Sequence, residues 1–295
     1  MARELLYTVV DVFAERALEG NPLAIFHDAT GLSAAEMQSI AREMRLSETT
    51  FILPQEECGE AVRVRIFTTE EELPFAGHPT LGTAAWLYTR RHGERSASTM
   101  TLALNAGKIP VTFAVTAEGE PGVRGAMQQL DPVFGATFKA QEVAAVVGVT
   151  ADQVRDDITP QSVSTGNAFC LVALRSLEAL AQLAIPQREA TAWLRDRGMR
   201  WFYVVAQAGE STWRARMQFY GGEDPATGSA AGPCIAWLVR HGLAASASPV
   251  MLQQGIEMRR PSHIEVQATF TDGSVTNVCV GGRTIAVAEG RLFLP

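Results

Sequence analysis

Phe75-Ala-Gly-His-Pro-Thr80 decides how this chain is read, because a run of the same kind recurs at Glu223-Asp-Pro-Ala-Thr-Gly-Ser-Ala230. Each run opens a nearly all-apolar helix pattern, and both patterns end on the same word. The first contains Thr83-Ala-Ala-Trp-Leu87 and stops at Arg91-His-Gly93; the second contains Cys234-Ile-Ala-Trp-Leu238 and stops at Arg240-His-Gly242. A weaker echo precedes each, residues 47–53 against 164–171. One fold unit used twice is the reading, with a buried helix in each half. Helix N-termini concentrate partial positive charge, so a site between two of them suits an anionic small molecule.

The totals bound the rest. A chain of 295 residues is long enough for two domains. Its net charge of −7 argues against a nucleic-acid surface, which needs clustered cations over phosphates. Lysine occurs only at 108 and 139, so a lysine Schiff base for pyridoxal phosphate has just those candidates, neither in a favourable context. The cysteines at 58, 170, 234 and 279 form no CxxC, and the start of the chain is not signal-like; a reduced, cytoplasmic protein is expected. No apolar run approaches the roughly 20 residues needed to span a bilayer.

Along the chain, strands are read at 5–13, 23–26, 49–53 and 62–68. The last alternates Val62, Val64, Ile66 against Arg63, Arg65, Phe67. Ser33-Ala-Ala-Glu36 is a capping box for a helix with Met37, Ile40, Ala41 and Met44 on one face. The first buried helix starts at Pro79 and stops at Gly93. Strands near 98–104 and 109–116 close the first half, and the Gly/Pro-rich stretch 118–122 is the boundary candidate. The second half supplies strand 123–130, helix 139–147, the segment 164–174, helix 186–197, strands 201–206 and 213–219, and the second buried helix. Strands near 250–253, 263–270 and 275–280 follow, then two final strands split at Glu289-Gly290 that cross back to the first half. The expected architecture is α+β: two pseudo-symmetric domains, each a mostly antiparallel sheet wrapped around a central apolar helix. Their extents are 1–118 plus about 282–295, and 123–281.

Conventional cofactor motifs are absent, the histidines have no metal-ligand spacing, and Ser229 is not in a G-x-S-x-G elbow. Chemistry is left to ordinary acids, bases and amides, each with a bland competitor. Glu48 is a general-base candidate or a solvated strand-end carboxylate. His78 at a helix start disfavours a charged ring, which points to a neutral imidazole for proton handling or hydrogen bonding. Asp224 is a catalytic acid or an N-cap. Gly77 and Gly228 permit tight turns or let amides approach a ligand. Ser229 caps or holds a carboxylate, and Thr227 joins these as a binding candidate. His92 and His241 read as helix-end cations, and Trp86 and Trp237 as core.

Ser47-Glu-Thr-Thr-Phe51, Phe75-Ala-Gly-His-Pro-Thr80 and Glu223-Asp-Pro-Ala-Thr-Gly-Ser229, in this order, closely resemble the phenazine-biosynthesis isomerase (PhzF-like) family. The resemblance runs from Val10-Asp-Val-Phe13 and Gly20-Asn-Pro-Leu-Ala24 to Gln254-Gly255, Arg260-Pro-Ser262 and Val280-Gly-Gly282. It implies a diaminopimelate-epimerase-like fold, with an active site in the cleft between two similar halves. It also implies cofactor-free, metal-free proton transfer on a small carboxylate-bearing substrate, and a homodimer. The family's catalytic glutamate falls on Glu48, its Gly-His pair on Gly77 and His78, and its Asp and Ser on Asp224 and Ser229. The phenazine-pathway member acts on trans-2,3-dihydro-3-hydroxyanthranilate. Related racemases and epimerases use one cysteine per half, and no cysteine stands at either helix start here. A silent small-molecule binding protein is the reading from another class, and intact Glu48, His78 and Asp224 weigh against it.

The resemblance departs in two places. The stretch 216–222 is shorter than the family's Pro-containing linker, and Pro233 falls inside the second helix, where it is expected to kink the axis. Glu48 is expected in an apolar cleft that raises its pKa. Backbone amides of 77–78 and 228–229 with the Ser229 hydroxyl are expected to take the substrate carboxylate, drawing the halves together.

Overall fold

The computed structural model describes residues 3–54, 59–92 and 98–294. The chain is a mixed α+β fold dominated by sheet, in two compact units: 1–127 with 281–295, and 128–280.

The first unit holds β1 (Arg3–Val12), β2 (Asn21–Phe26), α1 (Ala34–Met44), β3 (Glu48–Leu53), β4 (Val62–Phe67) and β5 (Glu72–Leu73). After these come α2 (Gly77–His92), β6 (Ser98–Leu104), β7 (Gly107–Phe113) and β8 (Val123–Gln128). Pairing runs β1-β2-β3-β4-β6-β7-β8 and then to β18 (Ser274–Leu294), which also pairs with β1, so the ring closes as a barrel. The β2–β3 and β4–β6 pairs are parallel, with α1 and α2 as their crossovers. Helix α2 packs on β1, β2, β3, β6 and β7. Gly82 is the close approach within it: a Cβ there would lie 2.7 Å from Val12 and 2.8 Å from Leu23.

The expected capping box of α1 is present: Ser33 Oγ accepts from the Glu36 amide at 3.2 Å while Glu36 accepts from the Ser33 amide at 2.8 Å. Met37, Ile40 and Ala41 are buried, with Met44 packed at the edge. The alternation of β4 holds except at Phe67, which is buried rather than outward. Helix α1 covers that face of the sheet, and Phe67 meets Phe51 edge-on at 5.5 Å. Gly93, the expected stop of α2, lies outside the described residues, as do the His92 side chain and Cys58.

The second unit holds β9 (Val133–Thr137), α3 (Ala140–Val147), β10 (Gln161–Ser164), β11 (Ala168–Leu174), α4 (Leu177–Ala181) and α5 (Gln187–Arg195). After these come β12 (Trp201–Gly209), β13 (Thr212–Arg216), the hairpin β14 (Gln218–Phe219) and β15 (Gly222–Glu223), α6 (Gly228–Arg240), β16 (Val250–Gln254) and β17 (Ser262–Thr271). Pairing runs β18-β17-β16-β13-β12-β11-β10-β9, with β11–β12 and β13–β16 parallel. Helix α6 packs on β17, β10 and β11.

Several expectations change. The stretch 118–122 lies inside the first unit, and the chain leaves that unit only within β8, whose residues 125–127 still pair with β7. The segment 164–171 spans the end of β10, a turn and the first half of β11, whereas its echo contains the single strand β3. The tail is a single strand through Glu289-Gly290: β18 stays paired with β1 there, and Gly290 is needed because a Cβ would sit 2.5 Å from the Tyr7 ring. Pro233 lies inside α6, where the sequence places it, within one continuous element. His241 caps α6, but burial and the neighbouring Arg240 push its pKa down, so the helix-end cation is Arg240. Among the described residues no helix is long and apolar enough to cross a membrane.

Candidate functional site

In the first unit, Glu48 is the first residue of β3, opposite Leu23 in the parallel register with β2. Period-2 alternation puts Glu48 and Thr50 on one face. That face meets α2: the wholly buried Thr50 and Thr83 hydroxyls are 2.9 Å apart. The same face brings the Glu48 carboxylate to His78, with Oε2 3.5 Å from Nε2. His78 is 5% exposed at the start of α2. Burial lowers its pKa to about 3, so the ring is neutral at physiological pH. Gly77 precedes it, also buried. Pro79 fits the first turn because its missing N–H would have no helical partner there. Thr80 returns both its amide and its hydroxyl to the Ala76 carbonyl.

In the second unit, the hairpin β14–β15 leads into Asp224. Arg216, 6% exposed, grips it by a two-pronged pair with Glu223 at 2.8 and 2.7 Å. The remaining nitrogen of Arg216 donates to the carbonyls of Leu180, Ala181 and Leu183. This tight hairpin is the form taken by the short 216–222 stretch. Thr227, not Asp224, holds the N-cap position of α6. Its hydroxyl donates to Asp224 Oδ2 at 2.7 Å. Gly228 and Ser229 form the first turn, Gly228 buried and Ser229 half-buried. The Gly228 carbonyl accepts from Gln129 Nε2 at 2.9 Å, and Gln129 Oε1 accepts from Thr165 at 2.6 Å. Gly232 makes room for that strap, since a Cβ would fall 1.9 Å from Gln129 Oε1.

The structure therefore brings Glu48 to His78, and Asp224 to Thr227 beside Gly228 and Ser229. Sequence reasoning missed Thr50–Thr83, Gln129, Tyr203, Arg216 and Gln254 as parts of these clusters. A signal existed for Gln254: Val250, Leu252 and Gln254 share the buried parity of β16, so a polar residue stands where the pattern demands an apolar one.

Helices α1, α3, α4 and α5 each carry a glutamate in the first turn, whereas α2 and α6 carry no acid there. Their positive ends are left uncompensated by side chains of the first turn. Among the described residues the thiols are no substitute nucleophiles or bases: Cys170 and Cys234 are buried, Cys279 is half-buried, and desolvation raises the pKa of each. Among the described residues no group of three or more His, Cys, Asp or Glu is placed to hold a metal ion.

Comparison with known proteins places the chain. The phenazine biosynthesis-like protein family matches residues 10–290. A trans-2,3-dihydro-3-hydroxyanthranilate isomerase of Pseudomonas aeruginosa is 38% identical over 291 residues, covering 98% of this chain and 99% of that protein. A solved structure of a predicted epimerase from Pseudomonas aeruginosa superposes with a TM-score of 0.85 at 39% identity, covering 98% of this chain and 99% of the other. A Bacillus anthracis phenazine biosynthesis protein of the PhzF family shares the fold, with a TM-score of 0.86 at 23% identity over 99% of this chain and 100% of the other. The chain is an isomerase and belongs to the phenazine biosynthesis-like, or PhzF, family.

Proposed function

We propose that the chain moves a proton within trans-2,3-dihydro-3-hydroxyanthranilate, or a close carboxylate-bearing analogue, by cofactor-independent general acid/base catalysis. Glu48 takes the proton from one carbon and returns it to another as the double bonds shift between them. The observation that carries this is the Glu48 carboxylate 3.5 Å from a buried, neutral His78 at the start of α2. A neutral imidazole hydrogen-bonds without competing for the proton at neutral pH, so Glu48 is the group left to carry it. Asp224 is the second proton-handling group. Gly77, Gly228 and Ser229 take the substrate's carboxylate through helix-start amides, which the acid-free first turns of α2 and α6 favour. Thr227 serves this site through Asp224, to which its hydroxyl is given.

The finer architecture belongs to the same reading. Each half is one fold unit with its apolar helix at the centre: in both, an antiparallel pair lies between two parallel pairs, with a helix in each parallel crossover. A homodimer in a reducing cytoplasm fits the family resemblance and the free thiols at 170, 234 and 279.

The test is Glu48→Gln, which keeps the shape and removes the proton acceptor. Turnover of trans-2,3-dihydro-3-hydroxyanthranilate in deuterium oxide should fall at least about a hundredfold, with the thermal midpoint unchanged. Deuterium should enter the product with the parent enzyme and not with the variant. Near-parental turnover by the folded variant removes Glu48 as the base.

A further inference from the structure

Beneath Asp224 lies a buried polar network whose direction two backbone groups dictate. Gln254, the last residue of β16, is wholly buried. Its Oε1 accepts from the Thr227 amide at 3.1 Å and from the Tyr203 hydroxyl at 3.0 Å. Its Nε2 donates to the Asp224 carbonyl at 2.7 Å and to Thr227 Oγ1 at 2.9 Å. A side-chain amide can often be turned end for end. Here it cannot, because a backbone N–H only donates and a backbone carbonyl only accepts.

The rest follows by elimination. Thr227 Oγ1 receives a proton from Gln254, so its own proton points elsewhere, and Asp224 Oδ2 lies 2.7 Å away. That is the length expected of a hydroxyl donating to a carboxylate. The side-chain donors from Gln254 onward run one way, from its Nε2 to the Thr227 hydroxyl and from that hydroxyl to Asp224, while its Oε1 is held by Tyr203 and the Thr227 amide. Thr227 also forgoes an alternative: it stands at the N-cap of α6, where a threonine ordinarily accepts a helix amide, yet its side chain caps nothing. Gly255, with φ at +75°, lets the strand end come this close; a Cβ there would meet the Pro225 carbonyl at 2.8 Å.

We propose that Gln254 and Thr227 are positioning residues for Asp224: Gln254 fixes the direction of the Thr227 hydroxyl, which holds the Asp224 carboxylate in one rotamer as a hydrogen-bond acceptor. This rests on the reading of Asp224 as a group of the reaction. Thr227→Val keeps the shape and deletes the donor, whereas Thr227→Ser keeps the donor. With trans-2,3-dihydro-3-hydroxyanthranilate as the probe, Thr227→Val should lower kcat about tenfold to a hundredfold, the scale of a misplaced reacting group. Its KM should stay close to parental, and Thr227→Ser should restore most of the rate. A defect of packing would be worse in serine, which lacks the methyl group that valine keeps, so rescue by serine points to the donor.

Asp224→Asn separates the two ideas. If it is inactive while folded Thr227→Val turns over at the parental rate, the positioning proposal is overturned and the role of Asp224 stands. If Asp224→Asn itself is fully active, both fall. A crystal structure of Thr227→Val decides without reference to activity: a carboxylate swung away or split between rotamers supports the proposal, and Asp224 unmoved overturns it.

Discussion

Acid should destabilise this protein through His78, by an amount the structure allows to be worked out. The ring is 5% exposed and burial holds its pKa at about 3, whereas the unfolded chain's histidine titrates near 6.5. Between those values the unfolded state carries a proton that the folded state refuses. Stability from this group is therefore complete above pH 6.5 and is lost as pH falls from there toward 3. The slope is about 1.4 kcal/mol per pH unit, so the loss at pH 5 comes to about 2 kcal/mol. That is a sizeable share of the roughly 5–15 kcal/mol that folds a domain. His78→Gln removes the titration and keeps an amide within reach of Glu48. Urea unfolding of both proteins at pH 7.5 and pH 5.0 should show the parent losing about 2 kcal/mol more than the variant. Equal losses would refute the reasoning: an ionised Glu48 at 3.5 Å would then be drawing a proton onto the folded ring as readily as water does in the unfolded chain.

Gly82→Ala tests packing against propensity. Alanine gains about 1 kcal/mol in a helix interior, but its Cβ would press on Val12 and Leu23 at 2.7 and 2.8 Å, and overpacking costs about 1–3 kcal/mol. The thermal midpoint should fall, and a rise would contradict the close approach. Arg216→Met should cost about 3–5 kcal/mol by urea titration, because it strands Glu223 and removes the donor to the carbonyls of Leu180, Ala181 and Leu183. A loss under about 1 kcal/mol would mean the pair behaves as an exposed one.

What was legible in the sequence was local. The capping box of α1 needs only Ser33 and Glu36 three residues apart, and both bonds form. The starts of α2 and α6 follow from glycine, proline and an apolar run, none of which depends on a distant partner. Phe67 was misplaced because alternation tells which residues share a face, not whether another element covers it; α1 does. The strand break at Gly290 failed for a similar reason. Glycine there answers to the Tyr7 ring across the pair, not to a turn. The short hairpin β14–β15 carries too few residues for a periodic signal, and Arg216 holds it from the adjoining strand. In the candidate site the residues at the helix starts were named, while those holding them from other strands were not. Gln254 could have been found by asking why an amide occupies an inward position of β16.

The protonation states constrain which groups can do the chemistry on the proposed reading. Burial and the positive end of α2 both oppose a charge on His78, so the ring offers a hydrogen bond rather than an acidic proton at neutral pH. The thiols among the described residues are removed by the same physics, since desolvation raises the pKa of Cys170, Cys234 and Cys279 and none becomes a thiolate readily. Carboxylates remain, and Glu48 and Asp224 are supported unequally. Glu48 meets a neutral partner at 3.5 Å, whereas Asp224 accepts a hydroxyl proton whose direction is dictated by backbone groups. A hydrogen bond donated to a carboxylate favours its ionised form. On that reading Glu48, beside a neutral ring, is the group that gains and loses the proton during turnover. Asp224, held as an acceptor, suits orienting or drawing off a proton at a fixed position. Exchanging the roles would require Asp224 to give up the Thr227 hydroxyl in each cycle, while Gln254, fixed by backbone groups, keeps that hydroxyl directed at it.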